Sequence, residues 1–137
     1  MALLFLYWVF SLAMTIVIWF VQLVHYPAFK WGDKDRFSEF MLDHQRRISV
    51  IVLPLMIGEL ITLFGVMKNN QAAWVLASAS LLMIIWASTF LIQVPCHRHL
   101  SNGYDDAMIN RLVASNWVRT IAWTLKLLIV TTIIYWS

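Results

Sequence analysis

The sequence predicts an all-α integral membrane protein, in which one transmembrane domain over residues 1–137 forms a four-helix bundle. Of the 137 residues, 61% are hydrophobic and only 12% are charged, against roughly 25% charged residues in soluble domains. A domain of this size has too little interior to hide so much apolar surface from water. The composition therefore excludes a soluble enzyme and a disordered tail, and the single cysteine excludes an internal disulfide framework.

Four apolar stretches predict the four helices. Each is close to the ~20 residues that a helix needs to span the bilayer core, and the alternating pattern of a membrane β-barrel is absent. The predicted spans are residues 3–24, 48–67, 73–94 and 118–136. The first stretch has no positively charged segment before it, so we expect a retained helix rather than a signal peptide.

The connections between the spans are unequal. A short turn joins spans 2 and 3, whereas residues 25–47 and 95–117 form connections of roughly 20 residues. We expect each long connection to contain a short helix, capped by Asp33 in the first and by Asp105 in the second. These helices either lie at the membrane interface or run straight into the next span.

The basic residues predict the orientation in a cell membrane. Lys68 lies at the turn between spans 2 and 3, and Lys126 lies inside span 4. Lysine and arginine favour the cytoplasmic side, so we expect both long connections in the cytoplasm and both termini outside. The net charge of +3 then fits anionic lipid as a partner and not nucleic acid. The long connections and their edges hold Lys30, Lys34, Arg36, Arg46, Arg47, Arg98, Arg111 and Arg119.

The two halves of the chain share a pattern. The first span ends with Gln22, His25 and Pro27, and the third ends with Gln93, Pro95 and His97. This similarity indicates two tandem helix–loop–helix hairpins, related by a pseudo-twofold axis along the membrane normal. The alternative interpretation is that helix ends at a membrane interface resemble one another.

Polar side chains gather where the spans meet the long connections. In an antiparallel bundle these helix ends share one membrane level, so the side chains are expected to lie close together. Candidate catalytic residues are His25, His44, Arg47, His97, Asn116 and Arg119. Candidate residues for binding a cofactor or ligand are Gln22, Gln93, Trp117 and Glu59.

Several interpretations of this cluster stay open. A metal ion would be held by the neutral imidazoles of His25, His44 and His97, and a haem would use His axial ligands with Arg47 and Arg119 on its propionates. A site without a metal would use histidine as a proton shuttle and arginine as an anion clamp. Alternatively, these side chains only occupy the headgroup region, where amphipathic residues are stable.

Two charged residues fall inside spans. Glu59 lies ~18 Å into span 2 and Lys126 ~12 Å into span 4, at 1.5 Å of rise per residue. Charges at such depth are costly, so they usually pair or serve function. We expect a Glu59–Lys126 ion pair that links the two halves; the alternative is that Glu59 is a proton-carrying or ligand-binding carboxyl in a cavity.

Two short runs carry a family resemblance. Residues 93–100, which read QVPCHRHL, and residues 116–120, which read NWVRT, resemble the Pro…Leu…Trp…Arg pattern of the anthrone-oxygenase-like family of small membrane proteins. The resemblance implies a four-helix bundle and oxygenation of a polycyclic phenolic substrate without an obvious cofactor. It places Trp117 and Arg119 at motif positions, whereas His44 and the His25-Tyr26-Pro27 run depart from the family pattern.

The sequence thus favours an oxidoreductase or oxygenase that acts on a lipophilic or aromatic small molecule. This hypothesis predicts a cavity that reaches from the histidines toward Trp86, Trp123 or Glu59. The alternatives are a haem-, metal- or quinone-binding subunit of a membrane complex, and a non-catalytic scaffold that forms homo-oligomers. A scaffold would have a tightly packed bundle without a cavity.

Overall fold

The computed structural model of the chain describes residues 1–136 and consists of four long helices. Each helix is long and apolar enough to cross a membrane. The predicted all-α, four-helix membrane bundle is therefore confirmed. The helices are α1 (Ala2–Trp31), α2 (Phe37–Asn69), α3 (Ala73–Leu100) and α4 (Asp106–Tyr135).

The helices extend well beyond the apolar stretches that predicted them. The breaks at one end of the bundle are short, covering residues 32–36 and 101–105, and we call this end the loop end. The short helices expected in residues 25–47 and 95–117 are thus not separate elements. They form the first turns of α2 and α4. A helix that continues keeps its backbone hydrogen bonds within the helix. In a loop at the membrane surface, each backbone N–H and C=O group must instead find another partner.

The two expected helix caps have opposite outcomes. The Asp105 carboxylate accepts a hydrogen bond from the Met108 backbone N–H at 3.1 Å, so the predicted cap of α4 is confirmed. The expected cap at Asp33 is wrong: Arg36 precedes α2 and makes no side-chain cap. The Asp33 carboxylate instead accepts from the Asp35 backbone N–H at 2.9 Å, which stabilises the turn before the helix.

A widened, π-helical turn precedes the proline of α1 and that of α3. In α1 it covers Val21–His25, just before Pro27, and in α3 it covers Thr89–Gln93, just before Pro95. Proline has no N–H, and its ring clashes with the carbonyl four residues earlier, so a regular α-turn is strained at this place. The recurrence of this feature accompanies the sequence similarity of the two halves, while the duplication itself stays a prediction.

The four helices do not pack equally. Helix α1 packs closely against α2 and α4, and α3 packs closely against α4, whereas α2 and α3 touch each other sparsely. Small residues bring α1 and α2 together: a Cβ on Gly58 would lie 2.5 Å from the Phe10 ring, and one on Gly65 would lie 2.6 Å from Leu3. Such close approach is typical of helix packing in membranes. The sparse contact between α2 and α3 leaves room beside the bundle core.

A buried ion pair joins α2 to α4. The Lys126 ammonium donates to a Glu59 carboxylate oxygen, and both side chains are fully buried. The Ser11 hydroxyl donates to Glu59 at 2.8 Å, and the Trp123 indole N–H donates to its other oxygen at 3.0 Å. The expected Glu59–Lys126 pair is therefore present, and it has the additional hydrogen bonds that a buried pair requires.

Candidate functional site

An elongated pocket of about 200 Å³ lies between α1, α2 and α3, toward the loop end of the bundle. It follows α2 from His44 to Met56, which is ~18 Å of helix. Its deeper wall is formed mainly by apolar side chains, and Trp86 lies in it. An engineered apolar cavity of about 150 Å³ binds benzene, so this pocket has room for one or two aromatic rings. The remaining apolar wall includes Met14, Val17, Ile18, Val21, Ile48, Val52, Leu53, Phe90 and Val94.

The pocket opens sideways, between α2 and α3. Leu53, Phe90 and Val94 line it and are also exposed on the outer surface of the bundle. At the loop end, Gln45 joins the same two helices, because its amide donates to the His97 carbonyl at 3.1 Å and to the Ser101 hydroxyl at 2.7 Å. The opening therefore lies within the apolar part of the helices, where the bundle meets lipid.

Three histidines and a tyrosine lie together at the loop end of the pocket, and all of them except His25 line it. His25 Nε2 lies 3.0 Å from His44 Nδ1, and the Tyr26 hydroxyl lies 3.0 Å from His97 Nε2. The His44 and His97 ring centroids are 5.9 Å apart, and the Phe29 ring contacts both rings edge-on. Helices α1, α2 and α3 each contribute to this group, which confirms that these helix ends meet at one level.

A second set of contacts attaches α4 to this group. The Asn116 amide donates to the Gln22 side-chain oxygen at 2.9 Å, and the Gln22 amide donates to the Val113 carbonyl at 3.1 Å. Arg119 donates to the Asn116 oxygen at 3.3 Å, and its guanidinium lies 5.2 Å from the centre of the Trp123 ring. Gln22 and Asn116 thus hold Arg119 at the pocket wall without themselves lining the pocket.

Five polar atoms of the residues that line the pocket are buried without a hydrogen-bond partner. A buried polar group without a partner loses the hydrogen bonds it made to water, at a cost of ~1–3 kcal/mol. Several such groups around one pocket indicate a binding site for a polar group of a ligand or for water. The atoms are His44 Nε2, Trp86 Nε1, Gln93 Oε1, His97 Nδ1 and Arg119 Nε.

Three residues expected at the site lie elsewhere. Arg47 extends away from the bundle and pairs with Asp43 at 2.7 Å, with 79% of its side chain exposed. Trp117 is 39% exposed and packs edge-on against Trp19. Glu59 belongs to the buried ion pair and does not line the pocket.

The remaining candidates take different positions around the pocket. Gln93 lines it, and its amide donates to the Ser115 hydroxyl at 3.0 Å. His25 reaches the pocket only through His44. His97 and Arg119 line it directly, on α3 and α4. The polar end is therefore formed by His44, His97, Arg119, Gln93 and Tyr26.

The residues do not fit the expected three-histidine metal site. Within residues 1–136, no group of three or more His, Cys, Asp or Glu side chains is arranged to hold a metal ion. His25 and His44 use facing nitrogens for a hydrogen bond, and His97 Nε2 faces the Tyr26 hydroxyl. The pocket also matches one or two aromatic rings in size better than a haem macrocycle.

Sequence reasoning missed Tyr26 and Gln45 as site residues. Tyr26 is buried, lines the pocket and contacts His97, while Gln45 closes the loop end. Each lies directly after a candidate histidine, Tyr26 after His25 and Gln45 after His44. The local signal in the sequence is Pro27, and it does not by itself specify the widened turn that rotates Tyr26 inward in the structure.

The fold and the pocket define a small multi-pass membrane protein with four spanning helices. Compared with protein-family models, curated proteins and solved structures, the chain has no significant match. The resemblance to the anthrone-oxygenase-like family therefore stays a prediction, and the functional argument rests on the pocket.

Proposed function

We propose that this protein takes up a lipophilic aromatic molecule from the bilayer, holds its carbonyl or phenolic oxygen at the loop end of the pocket and oxidises the ring system as an oxidoreductase. One observation carries the proposal: an apolar pocket, open toward lipid, ends at His44, His97 and Arg119, each of which has a buried polar atom without a partner. An apolar body would lie along α2 and α3, with its oxygen at the loop end. Apolar walls with a few convergent polar groups are typical of small-molecule sites.

The wall of the pocket favours an aromatic ligand. Trp86 and Phe90 are in ring contact, with centroids 5.5 Å apart, and both line the pocket. Offset or edge contacts between aromatic rings add to the hydrophobic gain from burial. The unpartnered Trp86 N–H is also available as a donor to a second ligand oxygen.

The two bonded histidines provide a proton relay. When His44 Nδ1 donates to His25 Nε2, the His44 Nε2 atom, which has no partner, is an unprotonated base. It takes a proton from the ligand while the Nδ1 proton passes to His25, whose ring is partly exposed. Positioned bases of this kind contribute typically 10²–10⁴-fold to a rate.

Oxygenation is the reaction that we propose, in agreement with the family resemblance. His44 removes a proton from a ring CH₂ group next to a carbonyl-bearing aromatic system, and Arg119 stabilises the negative charge on the oxygen. Dioxygen then accepts the electrons: one oxygen atom becomes the new carbonyl, and the other leaves as water with the two hydrogens. Substrate and O₂ thus give quinone and water, and both atoms and electrons balance.

The pocket is tested with anthrone as the probe and purified protein in detergent. The Ser49→Trp substitution fills the pocket, because Ser49 lines it, and should abolish anthrone binding in equilibrium dialysis. Ser80→Trp is the matched control, since Ser80 is exposed on α3 and bonds to the carbonyl four residues earlier as Ser49 does. An equal loss of anthrone binding in both variants, or no loss in either, would contradict binding of anthrone in this pocket.

Catalysis is tested separately, by oxygen consumption and quinone formation. We expect His44→Gln to lower the rate by about 100-fold, the lower limit for a positioned base, while Arg47→Gln stays at the rate of the unmodified protein. Anthrone binding without turnover would contradict the oxygenase reaction and would favour a quinone-binding subunit.

A further inference from the structure

The buried cation at the pocket has no counter-ion within residues 1–136. Arg119 is 5% exposed, and its Nε has no partner. The chain has seven Asp and Glu residues, and none of them forms an ion pair with Arg119 in the part that the structure describes. Buried charges in proteins are usually paired, so an unpaired guanidinium requires an explanation.

The carboxylate that shares Trp123 with Arg119 is already neutralised. Glu59 accepts from Trp123, whose ring lies against Arg119, but the same carboxylate is bonded to Lys126. The Glu59–Lys126 pair therefore has no net charge to offer. Asp43 pairs with Arg47 and Asp105 with His99, both at exposed positions.

The other neighbours of Arg119 are neutral. Asn116 and the Tyr26 hydroxyl provide oxygen acceptors, and the Trp123 ring provides only its π face. Such contacts orient a guanidinium and leave its charge uncompensated. Arg119 also lines the pocket, so the missing negative charge has space there.

We infer that the ligand of this pocket is a lipophilic anion, an aromatic acid or acidic phenol whose ionised oxygen pairs with Arg119. This inference rests on the proposed pocket and narrows its ligand class from any aromatic oxygen compound to one that binds in its charged form. The aromatic body lies toward Trp86, and the anionic oxygen lies at the loop end between Arg119 and the His44 and His97 rings. A charge-assisted bond to an arginine is also stronger than a bond between neutral groups.

The test compares two probes of nearly equal shape, 2-naphthoate and 2-naphthamide, at pH 7. Binding is measured to the full chain in nanodiscs of zwitterionic lipid, with empty nanodiscs subtracted. We expect the naphthoate to bind at least about tenfold more tightly than the amide, because a hydrogen bond between two charged groups is stronger than one to a neutral amide. Arg119→Gln should remove this preference, so that the naphthoate and the naphthamide bind with similar affinity.

Two further variants test whether the preference for the naphthoate depends on the charge of Arg119 itself. Arg119→Lys retains the charge and should retain a preference for the anion, which separates charge from folding. Arg47→Gln removes an exposed arginine that pairs on its own helix, and it should leave the preference unchanged. Size-exclusion elution in detergent checks that each variant is folded.

The outcomes distinguish the two proposals. Equal binding of both probes, blocked by Ser49→Trp, would overturn the anionic ligand and leave the pocket in place. Binding of neither probe would overturn both. Displacement of the naphthoate when phosphatidylglycerol is added to the nanodiscs would assign the anion to a lipid headgroup instead of an aromatic acid.

Discussion

At the scale of single residues, the buried ion pair is the most constrained feature of the bundle. Glu59 accepts three hydrogen bonds, from Ser11, Trp123 and Lys126, and these come from α1 and α4. Removing one partner would leave the other charge buried and unpaired. Replacing both by apolar residues removes the two charges together.

Single substitutions in this pair should therefore lower the stability of the fold, whereas the double substitution should recover most of it. We expect Glu59→Gln and Lys126→Met each to lower the free energy of unfolding by ~3–5 kcal/mol, and Glu59→Leu with Lys126→Met to restore most of it. The measurement is thermal or denaturant unfolding in detergent, with Lys68→Met at the exposed end of α2 as the control. Normal stability of the single variants with lost activity would instead show that Glu59 serves the site.

The depth of a residue could be predicted from the sequence, whereas its direction around the helix could not. The rise per residue is fixed, so the Glu59–Lys126 pair and the common level of the histidines followed from counting. Arg47 and Trp117 lie at that same level, yet both point outward. Trp117 is next to Asn116, and one residue along a helix turns a side chain by about 100°. The facing partner helix decides which of the two is buried.

At the scale of helices, the start of α4 depends on a polar cap. The Met108 N–H bonds to the Asp105 carboxylate, and His99 adds a second contact at 2.9 Å. The backbone hydrogen bond from Met108, and then the bond from His99, hold the pKa of Asp105 below its ordinary value. A carboxyl with a lowered pKa stabilises the fold at pH values above its unfolded pKa, and this contribution is lost as the pH falls through the folded pKa.

The cap can be checked by titration. We expect the Asp105 carboxyl to titrate below 3.8, its ordinary value, in ¹³C NMR of the protein in micelles. Asp105→Ala should fray the first turn of α4 at pH 7, seen as faster amide exchange at residues 107–109, because a lost helix cap removes a satisfied backbone donor. A midpoint at or above 3.8 would contradict the cap.

Helix ends were harder to predict than spans for a physical reason. Hydropathy marks the part of a helix that lies in lipid, and it carries no signal for a helix that continues into water. The expected breaks therefore fell too early, at 24 and 94, while the helices run on to Trp31 and Leu100. The widened turns at Val21–His25 and Thr89–Gln93 were not predicted either, because many membrane helices contain proline without them.

At the scale of the whole molecule, the distribution of basic residues predicts a single orientation. The loop end carries Lys30, Lys34 and Arg36 near the first break and Arg98 and Arg111 near the second, while Lys68 lies at the opposite end. The positive-inside rule therefore predicts that the loop end is cytoplasmic. The pocket opening would then lie in the cytoplasmic half of the bilayer.

Cysteine labelling in intact cells tests this orientation. In a Cys96→Ala background, we expect a cysteine placed at the exposed position Asn70 to react with a membrane-impermeant maleimide. One placed at the exposed Asn102 should react only after permeabilisation. The reverse pattern would show that the loop end faces outward.

Under the proposed function, the sparse packing of α2 against α3 would also determine how the ligand is supplied. A pocket whose mouth is formed by Leu53, Phe90 and Val94 would exchange its ligand with the acyl chains and not with the cytosol. The occupied fraction of the protein would then depend on the amount of ligand per lipid. The same quantity of compound would saturate the protein in a small membrane and not in a large one. Lipid composition would thus control the proposed activity, because any change in how the compound dissolves in the bilayer would change its supply to the pocket.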